Sequence, residues 1–218
     1  MSLRGRLRGA AWLAAGKTKP ISAHWGRERG TPIDRWYIER FLSAHAGDIR
    51  GDVLEVMDDR YTTRFGSAVT RSDVLDVNPE NTAATVVADL ADPAGFPRER
   101  YDCFVLTQTL QFVYDLRAAI ESIHGCLRPG GACLATVPVT SRLDRPETNR
   151  GEFWRLTPGG CERLFAERFD RVEVAAHGNA AACAAFLIGL AAEELGEHVL
   201  AEPDALFPQL VSVRAEKR

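Results

Sequence analysis

The feature of this sequence that most limits its fold is an acidic residue in each of two successive apolar runs. Glu55 lies within Val53–Val56, and Asp76 follows it in Val74–Val77. A strand, a turn with a helix and a second strand ending in an acid form a nucleoside-binding βαβ unit, whose acid accepts hydrogen bonds from ribose hydroxyls. A strand-end aspartate that only caps the next turn gives the same pattern. The two acids alone leave both interpretations open.

Apolar runs elsewhere in the chain predict a sheet covered on both faces, because they are continuous and rich in β-branched residues. The predicted fold class is α/β, a Rossmann-like doubly wound and mostly parallel seven-stranded sheet with helices on both faces and an antiparallel last strand. The predicted strands are Asp52–Met57, Asp73–Val77, Thr85–Ala88, Tyr101–Leu106, Ala132–Val137, Arg171–Ala176 and Leu210–Arg214.

Helix signals divide the chain into an N-terminal extension, residues 1–30, and one large domain, residues 31–218. Thr31 as N-cap and Pro32 at the first helical position predict a helix that ends before Gly47. Further helices are expected at 118–127, 160–169 and 180–195. The polar stretch around 138–160 is long for a connection, so we expect an inserted functional loop there.

Composition narrows the function classes. The 218 residues carry a net charge of -3, which argues against a nucleic-acid partner. The N-terminal stretch GAAWLAAG is too short to span a bilayer, so no stable membrane insertion is expected, although a membrane-surface helix stays open. The five cysteines form no C-x-x-C pair and predict reduced thiols in the cytoplasm. The histidines and cysteines show no metal-ligand spacing, so no metal site is predicted.

The turn after the first strand bears on the ligand. A dinucleotide fold needs glycines there, but this turn lacks the G-x-G-x-x-G pattern and carries Asp58 and Asp59, which would repel a pyrophosphate. S-adenosylmethionine also has a ribose diol but has no phosphate, so it suits the turn better than NAD. Asp89 follows the third strand, where it could accept from an adenine amine while the Leu90 N–H donates to a ring nitrogen. A helix-capping aspartate is the alternative for Asp89.

Six motifs follow one another along the chain, namely VLEVMDDRYTTRFG, SDVLDVN, ATVVADLAD, YDCFVLTQTLQFVYD, LRPGGACLATVP and FWRLT. In these motifs the chain resembles the class I S-adenosylmethionine-dependent methyltransferases, and more narrowly the type 11 methyltransferase-domain proteins, from about Thr31 to Glu216. The resemblance implies that Glu55 and Met57 lie near the methionine end of the cofactor. It implies that Asp76 binds the ribose, that Asp89 with Leu90 binds the adenine, and that Val77 is a further cofactor-binding residue. It implies that Thr107 and Gln108 line the methionine moiety and the methyl group.

The chain departs from the family in its E-x-G-x-G-x-G motif, because Met57, Asp59 and Tyr61 stand at the three glycine positions. We expect the bend to be made instead between Tyr61 and Gly66, with Gly66 relieving it. A degenerate, non-methylating S-adenosylmethionine-binding module therefore stays open beside an active methyltransferase.

The expected reaction is methyl transfer to an O or N atom of a small-molecule acceptor, in specialised-metabolite or glycan tailoring. Such a transfer needs in-line positioning and at most one base. Arg155 could pair with an acidic acceptor group or, alternatively, with Glu152. The acceptor itself and a homodimer are left open. Candidate bases are His24, Tyr37 and His177, and candidate substrate-binding residues are Trp25, Trp36, Tyr37, Gln111, Phe153, Trp154 and Arg155.

Overall fold

The computed structural model describes residues 3–144 and 151–218. Its centre is one sheet, which confirms the predicted seven strands. They are β1 (Gly51–Val56), β2 (Val69–Asp76), β3 (Val86–Val87), β4 (Tyr101–Thr107), β5 (Leu127–Pro138), β6 (Arg171–His177) and β7 (Leu210–Glu216).

The strand order is β3-β2-β1-β4-β5-β7-β6. The pairs β1–β2, β1–β4, β2–β3 and β4–β5 are parallel, while β7 is antiparallel to both β5 and β6 and lies between them. The antiparallel last strand is thus confirmed. The order reverses at β1, between β2 and β4, and open α/β sheets bind ligands at the carboxyl ends of the strands beside such a point.

Helices cover both faces of the sheet, as predicted for a doubly wound fold. One buried cluster includes Ile120 and Phe165, and the other includes Ile38 and Phe186. No helix in the described ranges is long and apolar enough to cross a membrane. The helices are α1 (Leu3–Ala14), α2 (Ile33–Ala44), α3 (Arg60–Phe65), α4 (Leu116–Cys126), α5 (Pro158–Phe165), α6 (Ala180–Ile188), α7 (Ala192–Leu195) and α8 (Glu197–Leu200).

Two helix predictions were wrong. Thr31 does not cap α2, because Pro32 takes the N-cap position and the Thr31 N–H donates to the Glu193 carboxylate. The single helix expected at 180–195 is broken after α6 by Gly189, which adopts φ 79. A Cβ at Gly189 would lie 2.5 Å from the Ser22 carbonyl oxygen, so the break is fixed by a close approach of backbone as well as by φ.

The extension and the loop both contact the domain. In α1, Arg8 forms an ion pair with Glu194 of α7. The described part of the predicted loop has no helix or strand between β5 and α5, while residues 145–150 of it lie outside the described residues. The division into an extension and a domain stays a prediction.

Candidate functional site

The predicted cofactor acids meet at one edge of the sheet. Asp76 ends β2, and it pairs in register with Val87 of β3. Asp89 comes two residues after β3, and Thr107 ends β4 on the other side of β1. Since β1, β2, β3 and β4 are parallel neighbours, their carboxyl ends form a single crevice.

In the turn after β1, a methionine adopts a backbone conformation that is typical of glycine. Met57 adopts φ 71, its N–H donates to the Leu75 carbonyl at 2.9 Å, and its side chain is 65% exposed. Left-handed backbone is disfavoured for a residue with a Cβ. The expectation that Gly66 relieves the bend was wrong, because its φ is -67. Gly66 is instead needed for space, since a Cβ there would lie 2.4 Å from the Thr62 carbonyl oxygen.

Glu55 stabilises the helix that follows this turn. Its buried carboxylate accepts from the Tyr61 N–H at 3.1 Å, and from the N–H and hydroxyl of Thr62, each at 2.7 Å. Burial raises the pKa of Glu55 despite these three hydrogen bonds. The N–H groups at the start of α3 are thus satisfied by a side chain of the protein itself.

Charged groups surround the same turn. Arg60 donates to both oxygens of Asp58 and lowers the pKa of that carboxyl. On α2, Arg35 donates to the Tyr61 hydroxyl at 2.9 Å, and burial raises the pKa of the adjacent Asp34. Sequence reasoning missed Arg35, because only the placement of α2 beside α3 brings its guanidinium to this edge.

Asp76 is held by the turn that follows it. One carboxylate oxygen accepts from the Asn78 N–H at 2.8 Å and the other from Asn81 Nδ2 at 2.7 Å. Asn81 Nδ2 also donates to the Met57 carbonyl at 2.9 Å, so it joins the tips of β1 and β2. Each carboxylate oxygen can still accept one more hydrogen bond, as two ribose hydroxyls require. Nothing in the sequence marked Asn81.

The predicted adenine residues flank this crevice. Asp89 is exposed and accepts from the Ala91 N–H at 2.8 Å, so its carboxylate also serves its own turn. Leu90 is buried, and its carbonyl accepts from the Ser122 hydroxyl at 2.8 Å. Val77 keeps 46% of its surface exposed at the tip of β2, where it could contact a base.

Strained backbone and unpaired polar atoms mark the segment after β4. Gln108 adopts φ 50, and its N–H donates to the Thr136 carbonyl at 2.8 Å. Gln111 Nε2 donates to the Gln108 carbonyl at 3.0 Å. In the described parts of the chain, Gln108 Nε2 and Gln111 Oε1 are buried without a hydrogen-bond partner. Buried polar atoms of this kind call for a ligand or water.

The polar loop is attached to this segment. The Phe153 N–H donates to the Gln111 carbonyl at 2.7 Å, and Trp154 Nε1 donates to the Val113 carbonyl at 3.0 Å. Arg155 forms an ion pair with Glu152 at 2.6 Å, which is the alternative that the sequence left open. The loop therefore lies at the carboxyl edge of the sheet, beside Gln111.

The N-terminal extension reaches the same loop. Arg142 donates to the Ala23 carbonyl at 2.8 Å, and its guanidinium carbon lies 3.6 Å from the centre of the Trp25 ring. His24 lies between these two contacts in the chain. Arg155 in turn donates to the Arg142 carbonyl at 3.2 Å. A chain of contacts therefore joins Trp25 to Arg155, Trp154 and Gln111.

Two of the candidate bases lie elsewhere. The buried Tyr37 hydroxyl donates to the Leu200 carbonyl at 3.0 Å, and burial raises its pKa. His177 Nε2 lies 2.7 Å from Ser212 Oγ, and burial lowers its pKa. With Trp36, both line a cleft of about 540 Å³ between α2 and the β6–β7 edge. The side chains of Tyr37 and His177 thus contact Leu200, Ser212 and each other, whereas Trp154 is bonded to the segment after β4.

No three or more histidine, cysteine, aspartate or glutamate side chains in residues 3–144 and 151–218 could together hold a metal ion. All five cysteines are unpaired and buried. Burial raises the pKa of each thiol, so none of them is a ready nucleophile.

Comparisons with known proteins agree with this architecture. Residues 49–135 match the family model described as a methyltransferase domain. No curated protein matches the chain. Among solved structures, a S-adenosylmethionine-dependent methyltransferase from Archaeoglobus fulgidus is 14% identical with a TM-score of 0.55, and the match covers 84% of this chain and 94% of the other.

Two further structures match along nearly the whole chain. N-methyltransferase NodS from Bradyrhizobium japonicum, solved with S-adenosyl-L-homocysteine, is 15% identical with a TM-score of 0.54 and 98% coverage of both chains. The [4+2]-cyclase SpnF is 15% identical with a TM-score of 0.56, covering 98% of this chain and 95% of that one. At such identities the likeness concerns the fold. Residues 49–135 are thus similar to a methyltransferase domain, and the chain has the fold of solved S-adenosylmethionine-dependent methyltransferases.

Proposed function

We propose that the protein uses S-adenosylmethionine to methylate an O or N atom of a small-molecule acceptor. The observation that carries the proposal is the carboxylate of Asp76, held by Asn78 and Asn81 at the tip of β2 with accepting capacity left on both oxygens. It lies next to a turn without phosphate-binding glycines, in a crevice at the strand-order reversal.

The residues present fit the parts of the cofactor. Asp76 would accept from the two ribose hydroxyls, while Asp89, Leu90 and Val77 would contact the adenine. Thr107, Gln108 and the turn at Met57 would line the methionine, with Glu55 supporting α3 behind it. The buried unpaired Gln108 Nε2 supports this placement, because a ligand carboxylate or water could satisfy it.

Arg35 supplies a positive charge at the same end. Its guanidinium reaches the Tyr61 hydroxyl above α3, where it could also bind the carboxylate of the methionine moiety. The neighbouring acid Asp34 could receive the cofactor's amino group. These contacts would orient the sulfonium toward the acceptor, which is the main catalytic requirement of the reaction.

The protein's role in catalysis is to position the acceptor and to exclude water. When bound, the cofactor supplies an activated methyl group on a sulfonium. The loop that carries Trp154 and Arg155 would close over the bound acceptor, together with Trp25. Among the candidate bases, His24 lies next to Trp25 in the chain and so belongs to this part of the site. Tyr37 and His177 would act only on an acceptor that extends into the cleft beside α2.

A non-methylating function is the second candidate. It is favoured by Met57 at a glycine position and by the match to a [4+2]-cyclase with the same fold. A role in specialised-metabolite or glycan tailoring is part of the first proposal. The buried thiols support a reducing compartment, the cytoplasm. It remains a prediction that the protein acts on a small molecule, that it binds no nucleic acid and that it forms a homodimer.

Calorimetry with S-adenosylhomocysteine tests the proposal, and the matched pair Asp76→Ala and Asp204→Ala sharpens it. Asp204, like Asp76, is a half-buried turn aspartate, and it accepts from the Leu206 N–H at 2.9 Å. Two charge-assisted hydrogen bonds at ~1.5–3 kcal/mol each predict a loss in affinity on the order of 100-fold or more for Asp76→Ala. Asp204→Ala should bind like the wild type.

Equal affinity of Asp76→Ala and the wild type would remove the ribose assignment. Binding of NAD in place of S-adenosylhomocysteine would overturn the proposed cofactor. Tight binding of S-adenosylhomocysteine without methyl transfer to any small-molecule acceptor class would favour the non-methylating candidate.

A further inference from the structure

Three aromatic side chains form an exposed cluster beside the predicted acceptor position. Tyr114 and Phe153 have ring centres 5.2 Å apart in a T-shaped arrangement, and Tyr114 and Trp154 are stacked at 6.0 Å. Tyr114 is 70% exposed and Phe153 is 46% exposed, so neither ring is part of the core. We call Tyr114, Phe153 and Trp154 the aromatic cluster.

The aromatic cluster is held in place by the segment that follows β4. Trp154 Nε1 donates to the Val113 carbonyl, and the Phe153 N–H donates to the Gln111 carbonyl. The first bond fixes the Trp154 ring and the second fixes the backbone that carries Phe153, which lowers the entropic cost of binding another ring. Rigid, exposed aromatic side chains typically serve recognition.

The same segment carries buried polar atoms that lack a partner. In the described residues, Gln111 Oε1 needs a donor and Gln108 Nε2 needs an acceptor. A hydroxyl group is both a donor and an acceptor, so it matches either need. Gln111 is thus linked both to the aromatic cluster, through its carbonyl, and to the cofactor segment, through its side chain.

The arginines of the described loop are already engaged. Arg155 is paired with the nearly buried Glu152, and Arg142 donates to the Ala23 and Leu143 carbonyls while it stacks on Trp25. An anionic acceptor would have to compete for these guanidinium groups. The charge pattern therefore favours a neutral acceptor over a carboxylate or phosphate.

We propose that the acceptor is a neutral aromatic compound with a phenolic hydroxyl, whose ring packs on the aromatic cluster and whose hydroxyl is recognised by Gln111. This inference rests on the proposed function and names its acceptor class. The acceptor oxygen forms the new C–O bond while the S–CH3 bond breaks and its electron pair stays on sulfur. The hydroxyl proton leaves as the C–O bond forms and passes to a base, for which His24 is the candidate.

The test uses 4-methylphenol as the probe, with methoxybenzene, benzoate and cyclohexanol as comparisons. Binding is measured by ligand-observed NMR titration with S-adenosylhomocysteine present, after its own affinity has been measured by calorimetry. We expect 4-methylphenol to bind best, and Tyr114→Ala and Phe153→Ala to weaken it by roughly five-fold each. S-adenosylhomocysteine affinity should not change in either variant.

Phe207→Ala is the matched control, because Phe207 is 50% exposed, far along the chain in the loop before β7. It should leave 4-methylphenol binding unchanged. Gln111→Met should abolish the preference for 4-methylphenol over methoxybenzene while the ring still binds, and a thermal melt confirms that this variant folds.

Equal binding of benzoate or cyclohexanol would overturn the acceptor class. Absence of 4-methylphenol binding, or an equal effect of Phe207→Ala and Phe153→Ala, would overturn the site. Failure of the proposed function has a different signature, namely that S-adenosylhomocysteine itself does not bind while the aromatic probe still does.

Discussion

Met57 occupies a backbone conformation that costs free energy in any residue with a Cβ, so glycine at this position should stabilise the protein. At φ 71 an L-residue loses ~1–2 kcal/mol relative to right-handed backbone. In Met57→Gly, ordering the more flexible glycine backbone on folding costs about 0.5–1 kcal/mol more conformational entropy than ordering an alanine. Because the Met57 side chain is 65% exposed, its removal forfeits little burial.

Met57→Ala is the matched control, since it removes the same exposed atoms beyond Cβ but keeps the strained Cβ itself. The expected difference is that Met57→Gly is more stable than Met57→Ala by about 0.5–1 kcal/mol. The free energy of unfolding is measured for both by urea denaturation with linear extrapolation. The Asn81 side chain binds the Met57 carbonyl, not its side chain, so S-adenosylhomocysteine affinity should be kept.

Equal stability of Met57→Ala and Met57→Gly would show that the turn does not impose the left-handed conformation in solution. A fall in S-adenosylhomocysteine affinity in both variants has another meaning. It would show that the methionine side chain itself lines the cofactor site, and that the turn is specialised and not merely degenerate.

Two further predictions concern pH and the loop. Burial lowers the pKa of His177 below its ordinary 6.5, so its contribution to stability is complete above pH 6.5 and is lost as the pH falls through the lower folded-state pKa. The Tm of His177→Gln should therefore fall less steeply than that of the wild type between pH 6.5 and 5. The remaining fall is due in part to His124, whose pKa is also lowered by burial. Equal slopes of Tm against pH in the variant and the wild type would contradict this prediction. Trp154→Ala should reduce turnover while S-adenosylhomocysteine affinity is kept, and a loss of that affinity would count against the acceptor role. Arg155→Ala should also reduce turnover while S-adenosylhomocysteine affinity is kept. In addition, it should lower the free energy of unfolding by about 1–3 kcal/mol, because Glu152 is left buried without its partner. Adding Glu152→Gln to Arg155→Ala should restore part of this stability, as measured by urea denaturation.

The strands and their acids could be predicted from the sequence because both are local signals. Continuous apolar runs set the strands, and the acids at their ends needed only the parallel order to meet. Backbone conformation was less predictable. Gly66 looked like the residue that would relieve the bend, but Met57 takes the positive φ, and sequence preference alone does not indicate a strained methionine.

Side chains that act across elements could not be predicted in the same way. Asn81 reaches both Asp76 and the Met57 carbonyl, and Arg35 reaches Tyr61 from another helix. Each contact depends on how two elements pack, which no periodicity in the sequence encodes. Tyr114 was missed for the same reason, since its role appears only when the loop after β5 folds back onto it.

The structure also changes the argument against a dinucleotide cofactor. From the sequence, Asp58 and Asp59 were expected to repel a pyrophosphate, but the charge of Asp58 is balanced by Arg60. Glu55 provides a stronger reason. A pyrophosphate in this fold binds the N–H groups at the start of the helix after β1, and here the N–H groups of Tyr61 and Thr62 are bound by the buried Glu55 carboxylate. A phosphate in that place would have to displace a carboxylate with three hydrogen bonds, so the site favours a nucleoside cofactor that has no phosphate.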